Sequence, residues 1–393
     1  MKKRLYIFAL SGCLCLPAAT AQNVADVLRQ VEQNNKELWA QLKTDEALKA
    51  GIEAENTLDD PSVEYCSQYN REVVGQSTSE LIVSQGFDFP SLYGIRNREG
   101  RERKEAIDHR REALRRKILL EAKNLCLDLI YLNRVEDLLS IRRQNADELL
   151  KLYEERLRAG DVTLVEVNKI KMERMSIQTE VLQNDAAHRT ALQSLLALNG
   201  NLPIDFGDRE YPADVLTNDF DALLSEILGD EAELRAAEAD VRAAGRTVAV
   251  NRQKWLPHLE VGYRRNTVVG APNEHGFIVG GSIPLFSNRR QVQIARLQSD
   301  GARMALEDVR LKVEAETHAL FNEMQQLHRA MEVYDADLMH QTLALLKEGV
   351  EKGEISVVDY FLEADQIYLN LQTCMEIENK YRKTVAALCK NRL

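Results

Sequence analysis

The sequence predicts a mainly α-helical chain with membrane β-barrel strands, built as a tandem duplication around long antiparallel coiled-coil helices. Three observations predict it. Two proline-free stretches, each far longer than a compact domain, keep an apolar heptad rhythm. Ahead of each lies a pair of alternating segments with one apolar face. The motif "RAGDVTLVEV" (Arg158 to Val167) also returns as "EKGEISVVDY" (Glu351 to Tyr360) at a constant offset of 193, the mark of an internal repeat.

The chain opens on MKKRLYIFALSGCLCLPAATAQ, a basic start, an apolar run and small residues Ala19 and Ala21. That is a secretory signal over residues 1–21, and the Leu10-Ser11-Gly12-Cys13 lipobox-like run offers lipidation of Cys13 as a second reading. Without the signal's three cations the formal charge moves from −11 to −14. Nucleic-acid binding is excluded by that acidity. No later stretch approaches the roughly 18 apolar residues of a membrane helix. Cys66, Cys126, Cys374 and Cys389 stand singly and read as packing thiols rather than a disulfide framework or zinc site.

The first repeat is expected over 22–199 and the second over 221–393, with a lateral segment at 200–220 whose Gly, Pro and Asp break the helical pattern. The first begins with a helix from Val24 to Thr57, then strands at about 61–70 and 80–90, with Val63, Tyr65, Leu81 and Val83 on one face. A helix from Leu92 to Ala159 follows, with Ile118, Ala122, Leu129, Leu139, Ala146 and Tyr153 on its seam; it would be on the order of 100 Å long. After a tip turn at 158–167 a shorter helix runs to Leu198. The second repeat has the same order: a helix from Asp221 to Trp255, strands at about 257–266 and 276–286, a helix from Asn288 to Lys352, a tip turn at 351–360, and a helix from Ser356 to about Lys390. Its seam is read through Leu320, Met324, Leu327, Met331, Tyr334, Leu338 and Leu345.

Four strands cannot close a barrel, whose lower limit is about eight. If they span lipid, several chains must share one barrel, because an open sheet edge in hydrocarbon leaves backbone groups unsatisfied. In each tip turn, Gly160 or Gly353 takes a left-handed conformation that stops one helix. Thr163 or Ser356 then caps the next, and Glu166 or Asp359 reaches back to complete a capping box.

This plan resembles the TolC-type outer membrane efflux family: two homologous halves, each with a strand pair between a medium and a very long helix, and Gly-x-x-[Thr/Ser]-x-x-[acid] turns at Gly160 and Gly353. The resemblance implies a homotrimer with a twelve-stranded barrel among outer membrane lipid and a helical tunnel extending into the periplasm. It implies a passive exit duct that meets a periplasmic adaptor and an inner-membrane pump, not an enzyme. Gly160, Val162, Thr163, Leu164, Gly353, Ile355, Ser356 and Val357 would then face the adaptor. Glu166 and Asp359 either cap alone or also line the narrowed mouth. The acid found three residues further on in TolC-like members is Leu362 here.

The alternative function is a non-pore periplasmic coiled-coil adaptor, which should carry one hairpin flanked by small Gly-rich domains; this chain carries two hairpins. Glu314 and His318 lie four apart on a helix, a spacing commoner in solvated contacts than in metal sites. No Ser-His-Asp set, phosphate loop or Cys-x-x-Cys occurs, so neither a catalytic residue nor a metal or cofactor is expected.

Overall fold

The computed structural model describes residues 23–69, 75–213, 219–286 and 290–393. The expected signal at 1–21, with Cys13, lies outside the described residues. The first repeat contains α1 (Val24–Asn34), α2 (Lys36–Ala54), β1 (Ser62–Tyr69), β2 (Gln76–Phe87), α3 (Pro90–Ala159) and α4 (Leu164–Leu198). The second contains α5 (Phe220–Asp230), α6 (Ala232–Gln253), β3 (His258–Val268), β4 (Glu274–Ser282), α7 (Gln291–Glu332), α8 (Ala336–Lys352) and α9 (Val357–Leu388). No helix among the described residues is long and apolar enough to cross a membrane.

Three helices read as continuous are divided. The helix expected from Val24 to Thr57 breaks at Asn35, whose backbone is extended and whose Oδ1 accepts from the Leu38 amide at 3.0 Å. Its Nδ2 donates to the Leu198 carbonyl at 2.9 Å, fastening the break to the end of α4. The helix expected from Asp221 to Trp255 breaks at Glu231, which has no capping side chain; its buried carboxylate lies 3.2 Å from Lys390 Nζ. Positions 35 and 231 differ by 196, close to the offset of the tips, so the break belongs to the duplication.

The long helix of the first repeat, α3, is continuous over 70 residues. Its counterpart is not, because Asp335 starts a new helix by accepting from the Leu338 amide at 2.9 Å. Short Asp side chains compete for local backbone in this way. The interruption shifts the packing phase by one residue. Met339, Leu343 and Leu346 pack inward, while the expected seam residues Leu338 and Leu345 are exposed.

Three apolar clusters hold the helices together, each fully buried Leu or Ile contributing about 1.5–3 kcal/mol. One lies at the tips and joins α3, α4, α8 and α9 through Leu149, Tyr153, Ile170, Val350 and Phe361. A second packs α1 on α3 around Val27, Leu127 and Ile130 and takes in Phe206 of the lateral segment. The third gathers Leu223, Ile227, Phe321 and Leu388. The lateral segment is clamped by Asn133 Nδ2, which donates to the Asp208 carbonyl at 2.9 Å, and by Tyr211 between the guanidinium groups of Arg134 and Arg382 at 5.4 and 5.5 Å. Burial pushes the Cys126 thiol up to about 12, consistent with packing rather than reactivity.

The four strands form one antiparallel sheet in the order β1-β2-β3-β4. The β2–β3 pairing joins the repeats, from Thr78↔Val268 to Phe87↔Leu259. This leaves β1 and β4 as edges. The register β4 keeps stops at Ser282, short of the expected 286, and Phe89 lies beyond β2 as the residue that precedes α3.

Candidate functional site

At the tips the local sequence dictates the geometry. Gly160 and Gly353 have φ of 85° and 78°. Each closes the preceding helix with a Schellman pair: Asp161 and Glu354 amides donate to the Arg156 and Gly349 carbonyls, both at 2.9 Å. Thr163 and Ser356 then cap α4 and α9.

The two caps differ. At the first, the Thr163 amide donates to Glu166 Oε2 at 2.7 Å and the Glu166 amide to Thr163 Oγ1 at 3.4 Å, a complete capping box. At the second, the Asp359 amide donates to Ser356 Oγ at 3.1 Å and the hydroxyl donates to Asp359 Oδ2 at 2.7 Å. The return bond from the Ser356 amide is not made, so the capping box expected at Asp359 is half formed. Aspartate is one methylene shorter than glutamate.

The bonds from Thr163 hold the Glu166 carboxyl below its ordinary range. A lowered carboxylate pKa gives stability that is present above the unfolded value and lost as pH falls through the folded one. Glu166→Ala should therefore loosen its tip by about 1 kcal/mol at neutral pH and by less in acid. Asp359→Ala should cost about half of that. Amide exchange in 160–167 and 353–360 reads both; equal losses at the two tips would contradict the difference in caps.

Around the tips, Leu164 is 60% exposed and Val165 75%. Val162 and Ile355 are partly buried against the tip cluster. Val357 is 0% exposed within that cluster. Its side chain therefore presents nothing to a partner, contrary to the sequence reading, and its neighbour Val358 is the exposed one. Val357 is buried because the two hairpins lie side by side, tied where Arg156 Nη2 donates to the Glu351 carbonyl. Sequence pattern within one hairpin carries no signal of that contact.

Further up the hairpins, Arg142 of α3 meets three carboxylates. It reaches Glu173 and Glu180 of α4 at 2.5 and 2.9 Å and Asp365 of α9 at 2.9 Å, and lies over the Tyr368 ring at 5.3 Å. Burial, followed by the charge of Glu173, raises the Asp365 carboxyl despite the attraction of Arg142. A cleft of about 500 Å³ opens beside this hub between α4 and α9. The sequence reading missed the hub, since its members are brought together only by the fold.

The sheet separates its faces cleanly. Val63, Val83, Tyr263 and Phe277 form one cross-strand row, and Gln85, Val261 and Val279 the next. Phe277 is 90% and Val279 84% exposed, as no single sheet with a packed face would leave them. The opposite face carries Glu64, Glu80, Glu260 and Glu274, with Arg264 paired to Glu80.

Exposed apolar residues also recur at heptad spacing on the helices. They are Leu297, Met304 and Leu311 on α7, Val165, Met172, Met175 and Leu182 on α4, and Val358, Leu362 and Leu369 on α9.

Three comparisons bear on this architecture. The family model for outer membrane efflux proteins matches residues 223–390. Nickel-cobalt-cadmium resistance protein NccC of Alcaligenes xylosoxydans xylosoxydans is 38% identical over 91 residues, which is 22% of this chain and only 20% of that protein. The fold matches the Campylobacter jejuni CmeC outer membrane channel with a TM-score of 0.74 at 18% identity, over 94% of this chain and 85% of that one. It matches the open state of the Neisseria gonorrhoeae MtrE outer membrane channel with a TM-score of 0.73 at 15% identity, over 94% and 88%. The match to outer membrane efflux proteins thus spans residues 223–390 of the chain, and the chain has the fold of the TolC-type outer membrane channels.

Proposed function

We propose that the protein is the outer-membrane exit duct of a tripartite efflux system. Three copies form it, each repeat supplying two barrel strands and one periplasmic tip. The observation that carries this reading is the four-stranded sheet with both edges, β1 and β4, unpaired among the described residues and one face apolar and exposed. Joining β4 of one copy to β1 of the next removes every edge, as lipid requires. Twelve strands would then enclose the acidic face. The heptad stripes on α4, α7 and α9 would be covered by neighbouring copies in the same assembly.

The tips, with Gly160, Val162, Thr163, Leu164, Gly353, Ile355 and Ser356, would dock a periplasmic adaptor that connects to an inner-membrane pump. Exposed Leu164, Val165 and Val358 give that surface its apolar contacts. Glu166 and Asp359 would hold its shape, and Asp359, exposed at the tip, would line the narrowed mouth. A relative named for nickel, cobalt and cadmium resistance and an inner face rich in glutamate both favour a cationic cargo.

The test is the mass of the detergent-extracted full chain and its conductance in planar bilayers. A trimer is expected, with channels that prefer cations and lose part of that preference as salt rises. A stable monomer or dimer overturns the shared barrel, and an anion-preferring pore overturns the cationic cargo.

A further inference from the structure

We propose that the cross-strand pair Arg265 and His275 on the outward face of the sheet binds the phosphate headgroup of an outer-leaflet lipid. The proposal rests on the outer-membrane reading above. Along that face, which carries Val63, Val83, Val261 and Val279, the described strand positions hold no carboxylate, and Arg265 is their one permanent cation. Arg265 is exposed and makes no hydrogen bond or ion pair with a described residue. Its partner in the register is His275.

His275 is held in place. Its Nδ1 shares a hydrogen bond with the Tyr263 hydroxyl, and the two rings stack at 5.9 Å and 28°. With Nδ1 accepting, Nε2 carries the ring proton and is left to donate. A guanidinium fork beside an imidazole N–H is a donor set for phosphate oxygens.

The position along the strands selects the lipid. Towards the helices the first row is apolar, with Val63, Val83, Tyr263 and Phe277, and the next adds Val261 and Val279 beside Gln85. Towards the hairpin ends the next row is Ser67, Ser79 and Thr267. Arg265 thus stands where the apolar band gives way to hydroxyls, on the side away from the helices. Arginine on a lipid-facing strand is costly at mid-bilayer and nearly neutral at the interface. Tyr65 on the same row and Tyr69 beyond it supply the aromatic belt of such a boundary. With the helices in the periplasm, this boundary is the outer leaflet, where an anionic headgroup completes the charge.

The test uses full-length trimers of the wild type, Arg265→Gln, Arg265→Lys and the double variant Arg265→Gln/His275→Gln. Each is titrated with phosphatidic acid, with phosphatidylcholine and with inorganic phosphate, and bound lipid is counted by native mass analysis. Wild type should prefer phosphatidic acid to phosphatidylcholine, Arg265→Gln should bind it about tenfold more weakly, Arg265→Lys should fall between, and the double variant should be weakest. Inorganic phosphate at millimolar concentration should not displace the lipid. Affinity unchanged within twofold in Arg265→Gln, or equal binding of phosphatidylcholine, overturns the site. Displacement by inorganic phosphate assigns it to the free ion and overturns the lipid. Wild type that is neither trimeric nor conducting fails the channel reading itself, whereas a conducting trimer indifferent to Arg265→Gln fails only this proposal.

Discussion

Val279→Arg should prevent the sheet from entering a bilayer, while Glu260→Arg should be tolerated. Val279 is 84% exposed and lies in a row with Val261 and Gln85. A cation there faces lipid in the proposed barrel, at a cost of about 2–4 kcal/mol near the bilayer midplane. The cost recurs in every copy of a symmetric assembly. Glu260 pairs with Gly280 on the other face, where the glycine leaves room and water is at hand. Folding into phosphatidylcholine vesicles across a urea series would read the difference. If Val279→Arg inserted as readily as Glu260→Arg, the alternation would not be lipid against lumen, and the shared barrel would lose its main support.

That alternation was legible because strand side chains have a period of two, so a short stretch already assigns faces. The glycine turns were legible for a similar reason: a left-handed residue, a hydroxyl three positions on and an acid three beyond that fix a local geometry without long-range help. What the sequence hid were features that depend on reach or on the other hairpin. A single methylene separates the complete cap at Glu166 from the partial one at Asp359. The burial of Val357 needs Tyr153 and Val350 from other helices. The helix break at Glu231 has no capping side chain to announce it; only its correspondence to Asn35 could have found it. Asp335 was a signal in plain view, yet the heptad pattern runs through it and outweighed it.

Arg142→Ala should be the most damaging single change in the tip half of the hairpins. Arg142 is the cation for Glu173, Glu180 and Asp365, and it links α3 and α4 of the first repeat to α9 of the second. Removing one partner of a buried ion pair costs about 3–5 kcal/mol, mostly because the remaining charges stay buried without compensation. Glu173 is 7% exposed, so that penalty applies most strongly to it; Glu180 and Asp365 are wetter and contribute less. The pH dependence separates charge from packing. Asp365 already has a raised carboxyl pKa, with Lys169 and Arg142 the cations that oppose the rise. A raised carboxyl pKa means that the folded state binds protons more readily, so stability grows as pH falls from the folded value towards the ordinary carboxylate range. Without Arg142 the Asp365 carboxyl rises further and that window widens. The Arg142→Ala defect should therefore be largest at neutral pH and shrink in mild acid, read as amide exchange in 138–146 and 361–371. Arg142→Met, which keeps much of the packing over Tyr368, should show nearly the same loss at neutral pH. A defect that stays constant with pH, or one that Met repairs, would make Arg142 a packing residue rather than the counter-ion of the hub.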